Sequence, residues 1–291
     1  MRSILMMSYV TVMLAGIAQA AMAADARGIM DKAINLEDGD SQYSRQTVAT
    51  CKYAVKDNRI ACTEQPRIKV VEATRKDYGA AKKDQKTVMI IQQPAAEAGI
   101  GFLQYDYDEP GKDSDQWMYL SALGKVKRIV SGSDDEPKTG SLFGSEFGYE
   151  DIEKRHLDDF NYKILREESY QGQACWVIEA VPTPEHARKS NYSKSESWID
   201  KQRYLTLKVQ LYDRRGQLAK QMVQSDFVQQ QGVWIARKLN MNNMQSRRIS
   251  TMKLEHVSLN VPVDDELMTQ RTLTDNAFRE RSLAQIRASG K

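Results

Sequence analysis

The chain has 291 residues, with 42 lysines and arginines against 39 aspartates and glutamates, and a formal net charge of +3. A balance this close to neutral gives no reason to expect a nucleic-acid-binding protein or one held to an anionic surface by charge. Three histidines and three cysteines lie far apart in the sequence, without the spacing of a zinc site. We therefore expect no metal and no other cofactor.

The first 23 residues predict a cleaved secretory signal peptide. Arg2 supplies a small positive region, residues 4–17 are mostly apolar and uncharged, and Ala21–Ala23 fits a small-x-small cleavage site. The alternative, an uncleaved membrane anchor, is disfavoured because the apolar run is shorter than the ~20 residues of a spanning helix. We expect an exported chain in which residues 24–291 form a single domain, since no linker or repeat divides them.

The pattern of apolar residues predicts a mainly β protein with few helices. An apolar stripe at helical spacing covers residues 24–36, and further helices are predicted at 148–160, 184–189 and 275–286. From about Thr47 the period becomes two, and turn residues such as Glu109-Pro110-Gly111 separate the runs. The pattern favours a curved, antiparallel, incomplete β-barrel of roughly ten strands, with the short helices as a lid over an apolar pocket.

The cysteines leave one possible disulfide. Cys51 and Cys62 form the only close pair, and an exported chain permits a bridge between them. A turn at Lys56-Asp57 would place them directly opposite, whereas a turn at Asp57-Asn58 would offset them diagonally, which we expect to be less favourable for a bridge. Cys175 lies in an apolar run and is interpreted as a small buried hydrophobic residue.

No pattern typical of an enzyme is present. The segment Phe143–Gly148 contains glycines and a serine but lacks the Gly-x-Ser-x-Gly spacing of a nucleophile elbow. No phosphate-binding or dinucleotide-binding motif is found. The neighbouring acids Asp134, Asp135, Glu136, Glu150 and Asp151 are interpreted as solvated loop charges and not as a catalytic pair. We expect a protein that is not an enzyme.

An aromatic stretch from Asp115 to Ile152 resembles a known family. Its segments are Asp115–Leu120, Lys125–Ile129, Gly140–Phe147 and Tyr149–Asp151. Downstream segments agree with it: Trp198–Asp200, the Tyr212-Asp213 turn ending in Gly216, Lys220, Trp234-Ile235 and Leu239–Asn243. Together they resemble the LolA-like outer-membrane lipoprotein-sorting proteins over most of the mature chain.

This resemblance implies a periplasmic carrier that holds lipoprotein acyl chains, or another lipid, in an incomplete barrel beneath a helical lid. It further implies transfer to an outer-membrane acceptor, with an inner-membrane transporter of the resistance-nodulation-division (RND, MMPL-type) class as partner. The alternative is an accessory or sensor subunit of such a transporter, or of an envelope-stress system, that carries nothing. The fold alone does not choose between them.

Alternation and bulk select candidate lipid-binding residues. Large apolar side chains on the predicted strands and in the aromatic stretch are expected to contribute to the cavity, with the residues of the aromatic stretch favoured. They are Leu103, Tyr105, Trp117, Tyr119, Phe143, Phe147, Trp176, Ile178, Leu207, Val209 and Trp234.

Overall fold

One large antiparallel sheet dominates the structure. The computed structural model describes residues 26–57, 59–130 and 136–289, so the predicted signal peptide lies outside the described residues. Within them are fourteen strands: β1 (Ser41–Lys56), β2 (Arg59–Cys62), β3 (Arg67–Tyr78), β4 (Asp84–Gln93), β5 (Gly101–Asp106), β6 (Asp115–Leu120), β7 (Lys125–Ile129), β8 (Phe160–Tyr170), β9 (Gln173–Pro182), β10 (Tyr192–Asp200), β11 (Thr206–Asp213), β12 (Leu218–Gln230), β13 (Val233–Asn243) and β14 (Arg248–Leu259).

The first and last long strands meet in the middle of the sheet. The strand order is β7-β6-β5-β4-β3-β1-β14-β13-β12-β11-β10-β9-β8, and the short β2 pairs with β1. β1 and β14 pair from Gln42 opposite Leu259 to Lys52 opposite Arg248, and so join two antiparallel meanders. Because β7 and β8 are the two edges, the described sheet is open. The predicted incomplete antiparallel architecture is confirmed.

The prediction of roughly ten strands is too low. β2 has four residues, all exposed, and therefore shows no alternation between a buried and a wet face. β8 is an edge strand with charged residues in its middle, at Arg166, Glu167 and Glu168. An edge strand with little buried surface lacks the apolar pattern that identifies interior strands.

Four α-helices accompany the sheet: α1 (26–34), α2 (Pro184–Lys189), α3 (Gln270–Thr274) and α4 (Asn276–Ser289). The predicted helices at 24–36, 184–189 and 275–286 correspond to α1, α2 and α4. The predicted helix at 148–160 is wrong, since this segment contains only the short 3-10 turns Glu150–Ile152 and Leu157–Asp159.

Side-chain carboxylates explain why residues 148–160 do not form an α-helix. The backbone N–H of Gly148 donates to Asp151 at 2.7 Å, and that of Lys154 donates to Asp106 at 3.2 Å. These bonds offer the backbone partners other than helical carbonyls. Among the described helices, none combines the length and apolar character that a bilayer crossing requires.

Both faces of the sheet are covered. Val209, Met222 and Met241 are cross-strand neighbours on one face, here named the cavity face. Leu103 and Trp117 are neighbours on the opposite face, here named the helix face. Helix α1 packs on the cavity face, whereas residues 261–286, which include α3 and most of α4, pack on the helix face. The predicted tail helix is therefore formed but does not lie over the cavity face.

A buried carboxylate attaches α4 to the helix face. Arg287 near the end of α4 forms an ion pair with Glu72 of β3, which is 3% exposed. Glu72 also accepts a hydrogen bond of 2.9 Å from the Tyr43 hydroxyl and another of 3.3 Å from the Arg45 guanidinium. Burial, followed by the charge of Glu72, raises the pKa of Tyr43 to about 12. The tail is thus fixed by a charged contact as well as by apolar packing.

The disulfide between Cys51 and Cys62 is present, with a Cα–Cα distance of 5.8 Å. Lys56 pairs with Arg59 and Tyr53 lies opposite Cys62, so the register is the diagonal one. The expectation that this register disfavours a bridge is therefore wrong, because the Cα separation lies within the usual range for disulfides. Cys175 is buried and free, as predicted.

The bridge should contribute measurably to stability. The double variant Cys51→Ser/Cys62→Ser is expected to lower the free energy of unfolding by about 2–3 kcal/mol, because the crosslink restricts the unfolded chain. Urea denaturation of the two proteins measures the difference. Addition of a thiol reductant should lower the stability of the wild type to that of the variant and leave the variant unchanged. Equal midpoints without reductant would contradict the prediction.

Candidate binding cavity

A cavity of about 850 Å³ lies against the cavity face. Its floor is formed by strands β10 to β13. Its walls are α1, the loop 110–114, the segment 150–160 and α2. Ligand sites in proteins commonly enclose about 300–1,000 Å³. The cavity is therefore large enough for a small amphiphile or part of a lipid.

The floor is apolar with a few small hydroxyl groups. Val209 and Leu211 of β11, Met222 of β12 and Met241 of β13 contribute apolar side chains. Ser195 and Ser197 of β10 line the same cavity. Strand periodicity explains this set, since each floor residue faces its cross-strand neighbour: Ser197 pairs with Val209, Val209 with Met222 and Met222 with Met241. The unbranched side chains of methionine adapt readily to the shape of the groups they contact.

The chain between β7 and β8 crosses the cavity face. In this crossing segment, defined as residues 141–159, Leu142, Phe143 and Phe147 are buried against the cavity-face side chains of β1, β3, β13 and β14. Ile152 lines a second, smaller cavity of about 280 Å³ over the other half of the sheet. The crossing segment therefore forms part of the walls of both cavities.

Two buried ion pairs anchor the crossing segment to the sheet. Glu146 accepts hydrogen bonds from Arg248 at 2.6 Å and from Asn243 at 2.9 Å. Asp151, whose side chain is 2% exposed, pairs with Lys220 of β12 at 2.7 Å. Asp151 also accepts the hydroxyl of Tyr192 and the N–H of Gly148, each at 2.7 Å. Both anchors bind the segment to strands that form or border the floor.

A glycine allows the segment to turn. Gly140 has φ of +105°, and a Cβ there would lie 2.9 Å from the Tyr149 ring. Any other residue would be strained at this φ and would displace that ring. The close approach places Tyr149 against Phe102 of the sheet, with ring centroids 6.1 Å apart.

Two neighbouring acids of the crossing segment, Glu150 and Asp151, form hydrogen bonds and ion pairs that hold the segment in place. Glu150 accepts hydrogen bonds from the Ser190 hydroxyl and from the backbone and side-chain nitrogens of Asn191, at 2.7 and 2.8 Å. Together with the buried Asp151, this finding overturns the interpretation of Glu150 and Asp151 as solvated loop charges. Glu136 is exposed, as expected, whereas Asp134 and Asp135 lie outside the described residues.

The structure places most of the predicted lipid-binding residues outside this cavity. All eleven lie in the described ranges, and Val209 is the one that lines it. The helix face beneath α3 and α4 holds Leu103, Tyr105, Trp117 and Tyr119. The crossing segment is anchored by Phe143 and Phe147. Trp176 and Ile178 lie beneath α1, and the cluster around Trp198 includes Leu207 and Trp234.

Sequence reasoning missed most of the residues that form the cavity. Met222 and Met241 lie on β12 and β13, and the cross-strand register that links them to Val209 is not visible in the sequence. Ser195 and Ser197 are small and give no signal of their own. In the described residues, no cluster of three or more His, Cys, Asp or Glu side chains is placed to hold a metal ion.

Comparison with known proteins supports the fold. A family model described as that of an uncharacterized protein matches residues 83–275, more than half of the chain. The chain belongs to that family. Among curated proteins none matches the sequence significantly.

Solved structures share the architecture over nearly their whole length. A DUF1329 family protein from Desulfovibrio piger has a TM-score of 0.75 at 20% identity, covering 87% of this chain and 99% of that one. A domain from Vibrio parahaemolyticus, named for outer membrane lipoprotein sorting, has a TM-score of 0.74 at 24% identity, with the same coverage. A LolA superfamily protein from Nitrosomonas europaea has a TM-score of 0.60 at 19% identity, covering 84% and 97%. The chain has the LolA-like fold, and the resemblance noted in the sequence is confirmed.

The Asp151 anchor should be essential to the crossing segment. Asp151→Asn is expected to reduce the free energy of unfolding by about 3–5 kcal/mol, because it leaves Lys220 without its buried partner. Asp158→Asn in the same segment is a matched control, since the Asp158 side chain is 65% exposed and its ion pair with Arg27 is open to solvent. That variant should change stability by no more than about 0.5 kcal/mol. Chemical denaturation that gives equal losses for the two variants would refute the anchor.

Glu153 in the cavity wall should titrate near neutrality. Burial raises the pKa of the Glu153 carboxyl to about 7, although the Lys138 ammonium 2.7 Å away acts in the opposite direction. The stability linked to its proton is complete below the unfolded value of 4.5 and is lost as pH rises through 7. Carboxyl NMR, assigned with Glu153→Gln, should show a titration midpoint near pH 7. The free energy of unfolding of Glu153→Gln, relative to that of the wild type, should increase as the pH rises from 4.5 through 7. A midpoint near 4.5 would contradict the expectation.

Proposed function

We propose that the protein is a periplasmic carrier that binds the acyl chains of a lipoprotein, or of another lipid, in the cavity over β10–β13. The single observation that carries the proposal is the apolar floor of Val209, Leu211, Met222 and Met241 within a cavity of about 850 Å³. Each CH₂ group moved from water into such a floor contributes about 0.8 kcal/mol. An alkyl chain can thus be held without covalent chemistry.

The fold and the disulfide support this proposal. One structural neighbour is named for outer membrane lipoprotein sorting and another belongs to the LolA superfamily. The Cys51–Cys62 bridge is consistent with an oxidising compartment such as the periplasm. In this proposal residues 24–291 act as one binding unit after removal of the signal peptide. The transfer partners would be an inner-membrane transporter of the RND/MMPL type and an outer-membrane acceptor.

Filling the cavity should weaken binding. Val209→Trp places a large ring on the floor, and we expect it to weaken the binding of a fluorescent fatty-acid analogue by about tenfold or more, since the alkyl chain loses its space. Fluorescence titration of the delipidated mature protein measures the dissociation constants. Circular dichroism verifies that the variant is folded.

Two control variants locate the site. Val55→Trp makes the same change at a valine that is 64% exposed on the β1–β2 hairpin and should leave affinity unchanged. Trp117→Phe tests the helix face favoured by sequence reasoning and should also leave affinity unchanged. If Trp117→Phe weakens binding and Val209→Trp does not, the ligand lies on the helix face. Absence of saturable binding by the wild type at micromolar probe would reject the carrier and favour an accessory subunit.

A further inference from the structure

The cavity wall contains an arginine that forms no ion pair with the residues the structure describes. Arg155 of the crossing segment lines the cavity, and its guanidinium carbon lies 3.9 Å from the centre of the Phe160 ring. A guanidinium has five N–H donors. Here one donates to the Ser195 hydroxyl at 3.2 Å, while the buried Nε has no hydrogen-bond partner. Among the described residues Arg155 forms no ion pair.

Other charged groups along the wall already have partners. Glu150 accepts three hydrogen bonds, as described above, and Asp151 pairs with Lys220. Glu153 pairs with Lys138, and Asp158 with Arg27. The carboxylate of Asp159 lies 3.5 Å from Nδ1 of His186. Glu150 and Asp159 favour the charged form of Arg155 from a distance, but none of these acids forms an ion pair with it.

Two lysines of the wall differ from Arg155 in forming ion pairs, while the ammonium of Lys154 donates to the carbonyl of Lys83. Lys112 pairs with Glu109 at 3.1 Å and Lys189 with Asp113 at 3.0 Å. Burial lowers the pKa of the Arg155 guanidinium, which nevertheless stays protonated at neutral pH. An uncompensated charge surrounded by protein is costly unless a counter-charge reaches it. The cavity supplies the space for such a counter-charge.

We propose that Arg155 binds the anionic headgroup of the lipid whose chain occupies the floor. Ser195 connects the guanidinium to the floor. Its hydroxyl accepts a hydrogen bond from Arg155, and it lies on the same strand face as the floor residues. A carboxylate or phosphate held by Arg155 would thus have its alkyl chain directed over Val209 and Met222. This inference rests on the proposed function and specifies the ligand as a negatively charged amphiphile.

Three ligands that share a chain length and differ in their headgroup test the inference. A fluorescent fatty acid, its methyl ester and an alkyl phosphate of equal chain length are titrated against the delipidated mature protein. We expect the acid and the phosphate to bind about tenfold or more tightly than the ester. Inorganic phosphate at millimolar concentration should not displace the acid, because it lacks the chain.

The Arg155→Gln variant supplies the second arm. It should lose about tenfold or more in affinity for the acid and no more than about twofold for the ester. Arg155→Lys, which keeps the charge, should retain part of the preference. Arg271→Gln on α3, half exposed on the other face, is the matched control and should behave as the wild type.

Each outcome separates this inference from the proposed function. Equal binding of acid and ester by the wild type, with no effect of Arg155→Gln, would overturn the headgroup assignment and leave the carrier intact. Displacement of the acid by inorganic phosphate alone would also overturn it. Failure of all three ligands to bind would reject the carrier itself.

Discussion

A pleated strand presents successive side chains to opposite faces, and in this protein both faces of the sheet are covered. The pairing of β1 with β14 joins two meanders into one sheet, so this alternation is transmitted across it from β7 to β8. One face carries α3 and α4. The other carries α1, the crossing segment and the cavity. Of two successive residues on a strand, one therefore lies on the cavity face and the other on the helix face, and this decides which of them can reach the cavity.

This constraint explains what could be predicted from the sequence. The period of two that begins near Thr47 identified a mainly β protein with an antiparallel, incomplete barrel. Alternation cannot say which face holds the cavity when both faces are apolar, so Leu103 and Trp117 were selected although they lie beneath α3 and α4. Between Trp198 and Ile199 the register shifts, so Leu207 packs with Trp198 while Val209 lines the cavity. A bulge of this kind has no signature in hydrophobic periodicity.

The crossing segment shows a second limit, because its charges depend on distant residues. Asp151 pairs with Lys220, 69 positions away, and Glu146 pairs with Arg248, 102 positions away. In isolation, neighbouring acids in a glycine-containing loop are most simply read as solvated. Only the folded sheet brings the cations to them and converts them into buried anchors. The same folding leaves Arg155 without an ion-pair partner among the described residues, so the segment contains both paired charges and an unpaired guanidinium at the cavity.

The walls of the cavity are attached to the sheet by contacts of different strength, so they differ in the free energy needed to move them. The crossing segment buries Leu142, Phe143 and Phe147 and is tied by two ion pairs with little solvent access. Helix α1 buries Ile29 and Met30, and its ion pair between Arg27 and Asp158 is exposed and adds at most about 1 kcal/mol. Displacement of α1 therefore costs less than displacement of the crossing segment. A ligand that enters or leaves beside α1 would pass over the floor while Arg155, held on the fixed wall, keeps its position. If the protein carries a lipid as proposed, entry and headgroup recognition would then belong to different elements of the fold.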